Sequence, residues 1–255
     1  MNREALLQAW LREEEAAHIH GWDFSHLHGR YAEEGDLPWD YREVVRHYLR
    51  PDTRLLDLDT GGGEFLLSLG HPPRLTAATE NYPPNAALCR ERLLPLGMDF
   101  RQADAAHLPF EDGRFDLVLN RHGDFCPEGI ARVLTPGGVF VTQQVGAEND
   151  RELVRLLLGE SPLPFPRQYL AMAEADFRRA GLTVLRGAEA FRPIRFWDVG
   201  ALVWFARVIP WEFPGFSVMA CREGLERAQR IVERDGVVEG RVHRFLLVAE
   251  KPART

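Results

Sequence analysis

The residues best suited to chemistry sit where an apolar run, Leu55-Leu56-Asp57-Leu58, breaks into Asp59-Thr60-Gly61-Gly62-Gly63. Three successive glycines strip every Cβ from one corner, so the backbone there can take positive φ and approach a ligand closely. A helix starting at Glu64 turns free N–H groups toward the same place. After a first strand, such a turn is a cofactor-binding position at the carboxyl edge of an open sheet. Glu80 ends the next apolar run, at the spacing of a carboxylate that accepts hydrogen bonds from both hydroxyls of a ribose. The dinucleotide fingerprint needs a small residue at position 66, which is Leu66, and the phosphate-loop pattern GxxxxGK[ST] is absent.

Taken in order, these segments resemble the class I (Rossmann-like) S-adenosylmethionine-dependent methyltransferases, of the methyltransferase type 11 kind. Asp57, Gly61 and Gly63 match the acidic residue and the second and third glycines of that family's first motif. Asp59 stands where the family has its first glycine, and a cationic sulfonium and amino group tolerate this extra carboxylate better than a pyrophosphate would. Asp104-Ala105, in RQADAAHLPFEDGRFDLV, matches the loop that holds the adenine amino group, and Val133-Leu134-Thr135-Pro136-Gly137-Gly138 matches a structural turn before the fifth strand. The resemblance covers about residues 51–150. It implies S-adenosylmethionine as cofactor, S-adenosylhomocysteine as product, and a cofactor site of Asp57, Asp59, Thr60, Gly61, Gly62, Gly63, Glu80, Asn81, Asp104, Ala105, Asn120 and Arg121.

Methyl transfer from a sulfonium is an in-line displacement, so the protein has chiefly to align the acceptor and exclude water. A base is needed only where the acceptor must lose a proton. The end of the fourth strand, Asn120-Arg121-His122-Gly123-Asp124, is the expected catalytic position. His122 is the candidate acceptor-side base or hydrogen-bond partner; capping of the next helix is its structural alternative. Asn120 is the second catalytic candidate, and Asn120 and Arg121 are expected to line the cofactor or orient an anionic acceptor. The segment is neither the NPPY-type tetrad of enzymes that methylate exocyclic amino groups of bases or glutamine amides nor a carboxylate pair for a divalent metal. No acid or cysteine completes a set with His18, His20, His26 and His28, so no metal site is expected. For the acceptor, the candidates are Trp22, Phe24 and His122 with Phe196, Trp197 and Trp204. The last three lie in an aromatic insertion, 191–216, that reads as a substrate lid or as a dimer contact or core.

The elements that must hold these residues alternate. Strands are expected over 54–58, 75–79, 98–102, 115–120, 139–145, 182–185 and 245–249. Helices are expected over 1–18, 41–49, from 64, and over 83–94, 128–134, 148–158, 168–180 and 221–232. Strand–helix alternation implies βαβ units with right-handed crossovers. The fold class is thus α/β: a doubly wound, mostly parallel seven-stranded sheet with helices on both faces. An N-terminal helical cap (1–50) precedes a methyltransferase domain (51–255) that carries the lid-like insertion.

The chain has 255 residues and a formal net charge of −7, so nothing marks a nucleic-acid footprint. Its basic residues are almost all arginine; Lys251 is the single lysine. Cys89, Cys126 and Cys221 form no CxxC pair, and no signal-peptide or membrane-spanning run is present, so a cytoplasmic protein is expected. The expected partner is a small-molecule acceptor, with no membrane or nucleic acid, and the chain acts as a monomer or homodimer. An RNA or protein methyltransferase, or a non-catalytic S-adenosylmethionine-binding protein, is the alternative reading.

Overall fold

The computed structural model describes residues 3–18, 23–33 and 35–253. Trp22 and His20 lie outside them. Eight strands form one sheet: β1 (Tyr31–Ala32), β2 (Leu55–Leu58), β3 (Thr76–Thr79), β4 (Asp99–Arg101), β5 (Phe115–Arg121), β6 (Leu134–Val145), β7 (Thr183–Phe196) and β8 (Val238–Glu250), in the order β1-β7-β8-β6-β5-β2-β3-β4. The expected count was seven. The eighth is β1, whose two residues pair antiparallel with Phe196 and Arg195 and carry no alternation that a sequence pattern would show.

The run β4-β3-β2-β5-β6 is parallel, and β8 lies antiparallel on β6. All four residues of β2 are buried, as expected for a parallel strand covered on both faces. Strand order reverses at β2, with β3 and β4 on one side and β5 and β6 on the other. The carboxyl ends of β2 and β5 therefore flank the crevice where open α/β sheets bind ligands. In register, Leu58 faces Asn120, and Arg121 faces Gln143.

The chain divides into two compact units. One comprises residues 38–145, 168–189 and 244–255. It holds α2 (Tyr41–Tyr48), α3 (Glu64–Ser68), α4 (Pro83–Leu93), α5 (Pro127–Val133) and α7 (Leu170–Arg179). This unit includes α2, which lies before the boundary expected at 51 and is capped by Asp40 accepting from the Glu43 N–H at 3.1 Å. Tyr41, Val44 and Val45 of this helix are buried, and the Tyr41 hydroxyl donates to the carbonyls of Asn120 and Val141. A core of Leu56, Leu58, Val118, Phe140, Phe177, Phe245 and Leu247 underlies the sheet.

The other unit comprises residues 1–37, 146–167 and 190–243, with α1 (Arg3–Glu15), α6 (Arg151–Leu158), α8 (Val199–Val208) and α9 (Arg222–Asp235). In the stretch 191–216, expected as a lid, a dimer contact or core, the first residues complete β7, and the remainder forms α8 and a turn-rich segment. Eight of the ten residues of α8 are buried, including Trp204 and Phe205, and Arg207 is exposed in its last turn, so the helix belongs to the core along most of its surface. Asp198 caps it by accepting from the Ala201 N–H at 2.8 Å and pairs with Arg30, which also holds Glu13.

Candidate functional site

The glycine corner is open on one side and held from the other. Gly61 has φ +64°, and a Cβ built there meets nothing within 4 Å, so only a bare backbone leaves that space to a ligand. Behind it, α4 presents two side chains one turn apart. The Cys89 thiol donates to the Gly61 carbonyl at 3.0 Å, and Arg92 Nη1 donates to the Gly62 carbonyl at 3.0 Å. Arg92 also pairs with Glu64. Both glycine carbonyls are thus drawn toward α4. Sequence reasoning missed Cys89 and Arg92; their i, i+3 spacing on a helix following the turn was the signal available.

Around this corner stand three acids. Glu80 is 5% exposed; it accepts from the Gly61 N–H and the Tyr82 N–H, each at 2.8 Å. Asp57, also buried, accepts from the Thr60 hydroxyl at 2.6 Å. Asp59 adopts φ +50°, the left-handed conformation in which a glycine is more usual, and aspartate is among the few side chains that tolerate it. Burial pushes the Asp57 carboxyl up to about 7, and the Glu80 charge adds to that, against the pull of Thr60 and Arg121. Burial likewise raises Asp59 to about 7, reinforced by Glu80, Asp124 and Asp57. Gathering these carboxylates out of water raises the cost of ionising them, and a cationic ligand at the corner would relieve it.

The next loops carry the remaining expected cofactor residues. Asp104 accepts from the His107 N–H at 2.8 Å and lies 3.0 Å from His107 Nδ1. Ala105 is buried, and the Asn81 carbonyl accepts from Gln102 Nε2 at 3.3 Å. Gly62 and Gly63 complete the turn into α3, Gly63 with φ +81°.

At the end of β5 the expected residues divide by role. Asn120 is fully buried. Its Nδ2 donates to the carbonyls of Leu58 and Asp124 at 3.2 and 3.1 Å, and its Oδ1 accepts from Thr142 and Gln144. With donors and acceptor engaged, it ties the ends of β2, β5 and β6 together rather than reaching outward. Arg121 is exposed, its guanidinium 5.3 Å from the Phe65 ring centroid.

His122, at φ +61°, is half-buried and donates its backbone N–H to Gln143 O at 2.9 Å. Its Nε2 lies 3.1 Å from Gln143 Nε2, and Gln143 Oε1 accepts from Trp39 Nε1 at 2.7 Å. Burial lowers the imidazole well below its ordinary range, and the charges of Arg244 and Arg121 act in the same direction. The contributions of Gln143 and Arg244 were not legible, because a cross-strand partner carries no local spacing.

The aromatic acceptor candidates lie in the core of the unit containing α8. Phe196 and Trp204 are buried there, and Trp204 Nε1 donates to Ala16 O at 3.2 Å. Phe24 packs edge-on to Trp204 at 5.8 Å. These three act as packing residues, while Trp197 is 44% exposed. Among the described residues no cluster of metal-ligating side chains occurs, and no helix is long and apolar enough to cross a membrane.

A family model described as a methyltransferase domain matches residues 56–142, the stretch from β2 to β6 that carries the glycine corner, Glu80 and His122. A phthiotriol/phenolphthiotriol dimycocerosates methyltransferase of Mycobacterium tuberculosis is 33% identical over 110 residues, which are 40% of this chain and 40% of that protein. The demethylmenaquinone methyltransferase of Thermus thermophilus is 36% identical over 117 residues, 42% of this chain and 53% of that protein. The chain thus spans about half the length, or less, of these curated relatives. A solved structure from Deinococcus radiodurans, of a protein of unknown function, aligns with a TM-score of 0.59 at 16% identity, over 98% of this chain and 100% of that one. At that identity the likeness is one of fold.

Proposed function

From the match of residues 56–142 to the model of a methyltransferase domain, we propose that the protein is a class I methyltransferase that transfers a methyl group from S-adenosylmethionine to a small-molecule acceptor by in-line displacement. The observation that carries this reading is the open backbone at Gly61 ringed by Asp57, Asp59 and Glu80. When bound, S-adenosylmethionine supplies an electrophilic methyl group on a cationic sulfur. The three carboxylates suit its positive charges, and Gly61 leaves the backbone room for it. Glu80 would accept from the ribose hydroxyls, its lone pairs outnumbering the two N–H groups it already binds. Asp104 and Ala105 would meet the adenine. Arg121 and His122 would face the acceptor, with Asn120 holding the strand ends beneath them. The two relatives described above are named for small molecules, which favours an acceptor of that kind over RNA or protein.

Isothermal titration calorimetry tests the reading directly. S-adenosylmethionine and S-adenosylhomocysteine are expected to bind at micromolar strength and NAD not comparably. Tight NAD binding without binding of either adenosyl ligand refutes it.

A further inference from the structure

We infer that His122 is a fixed hydrogen-bond donor rather than a base, and that it receives an anionic acceptor oxygen, of the carboxylate type, at Nδ1. This rests on the methyl-transfer reading for its setting, but its logic is internal to three side chains. An indole nitrogen can only donate, so Trp39 Nε1 at 2.7 Å sets Gln143 Oε1 toward itself. The amide nitrogen then faces His122 Nε2 at 3.1 Å, and an amide nitrogen also only donates. His122 Nε2 must therefore accept, and in the neutral ring the proton resides on Nδ1. Trp39 and Gln143 are 7% and 5% exposed, so water does not compete freely for these bonds. Nδ1 makes no hydrogen bond among the described residues.

Asp57, Asp59 and Glu80 gather at the ends of β2 and β3, and both charges that act on His122, those of Arg244 and Arg121, are positive, with Arg121 standing between the two places because it also acts on Asp57. A cationic methyl donor suits the first group and an anionic acceptor the second. The chemistry is consistent. A lone pair of the acceptor carboxylate forms the O–CH3 bond, the S–CH3 bond breaks with its pair left on sulfur, and no proton moves. An alcohol would have to shed a proton, and the Nε2 lone pair of His122 is already committed to Gln143. Gln143 and Trp39 are positioning residues in this scheme.

The test is 15N NMR of the imidazole nitrogens in the full chain, with acetate as the anionic probe and acetamide as its neutral counterpart. Across neutral pH the expected signals for His122 are an unprotonated Nε2 and a protonated Nδ1. Acetate is expected to shift Nδ1, and acetamide at equal concentration to leave it in place. Gln143→Glu keeps the bond from Trp39 but turns an acceptor toward His122, so the ring proton is expected to move to Nε2; a merely structural Gln143 would not produce that switch. A proton on Nε2 in the unsubstituted protein, a cationic ring near neutrality, no response to acetate, or an equal response to acetamide each overturns the inference. Failure of the methyl-transfer reading shows separately, as absence of S-adenosylhomocysteine binding by calorimetry.

Discussion

Asp59 and Gly123 compete for one volume: a Cβ placed on Gly123 would lie 2.5 Å from the Cβ of Asp59. An acid at the turn after β2 thus requires a residue without a side chain beside His122. Gly123→Ala is expected to destabilise the protein by about 1–3 kcal/mol, the ordinary cost of overpacking, and to weaken S-adenosylhomocysteine binding. Asp59→Gly in the same chain removes the collision, and thermal unfolding of the double variant is expected to recover much of the loss. Additive losses would show that the two residues do not share that space.

Glu80→Ala removes the acceptor of two backbone N–H groups and, on the proposed function, of the ribose hydroxyls. Calorimetry is expected to show cofactor affinity reduced by about 1.5–3 kcal/mol, the range for hydrogen bonds to a charged group. Unchanged affinity would remove Glu80 from the site.

Gly61→Val places a β-branched side chain at φ +64° in the one open wall of the corner. The left-handed conformation costs an L-residue about 1–2 kcal/mol, so circular dichroism is expected to show a folded protein of reduced stability. Binding of S-adenosylmethionine is expected to disappear. Retained binding would place the ligand elsewhere.

Stability without cofactor is expected to fall with rising pH. Asp57 and Asp59 have their folded pKa raised from 3.8 to about 7, so the folded state holds their protons more tightly than the unfolded chain does. Their contribution is fully present below about 3.8 and is lost as pH rises through about 7. Affinity for a cationic ligand should rise over the same interval. Asp59→Asn, which tolerates the same backbone conformation, should flatten both trends in a series of melting and binding curves. A slope unaffected by this substitution would assign the titration to other groups.

The glycine corner was legible because its requirements are local. A glycine run after an apolar strand, and an acid at the end of the next strand, are readable from spacing alone. Asn120 was placed on its strand and His122 at that strand's end, but their partners, Thr142, Gln143 and Gln144, belong to β6. Roles fixed by cross-strand pairs do not register in linear spacing. The run from Phe191 to Phe216 left lid and core open for a different reason. Aromatic residues line ligand clefts and cores alike, and what separates them is the three-dimensional burial of eight of the ten residues of α8. The extra strand, β1, is too short to carry an alternating pattern.

Trp39 also gives the protein an optical consequence. Its indole is shielded from water and bonded to the amide that touches His122. Whatever reorients that amide changes the polarity around a natural fluorophore. With the remaining tryptophans replaced by phenylalanine, the emission colour of Trp39 becomes a label-free gauge of events at the imidazole.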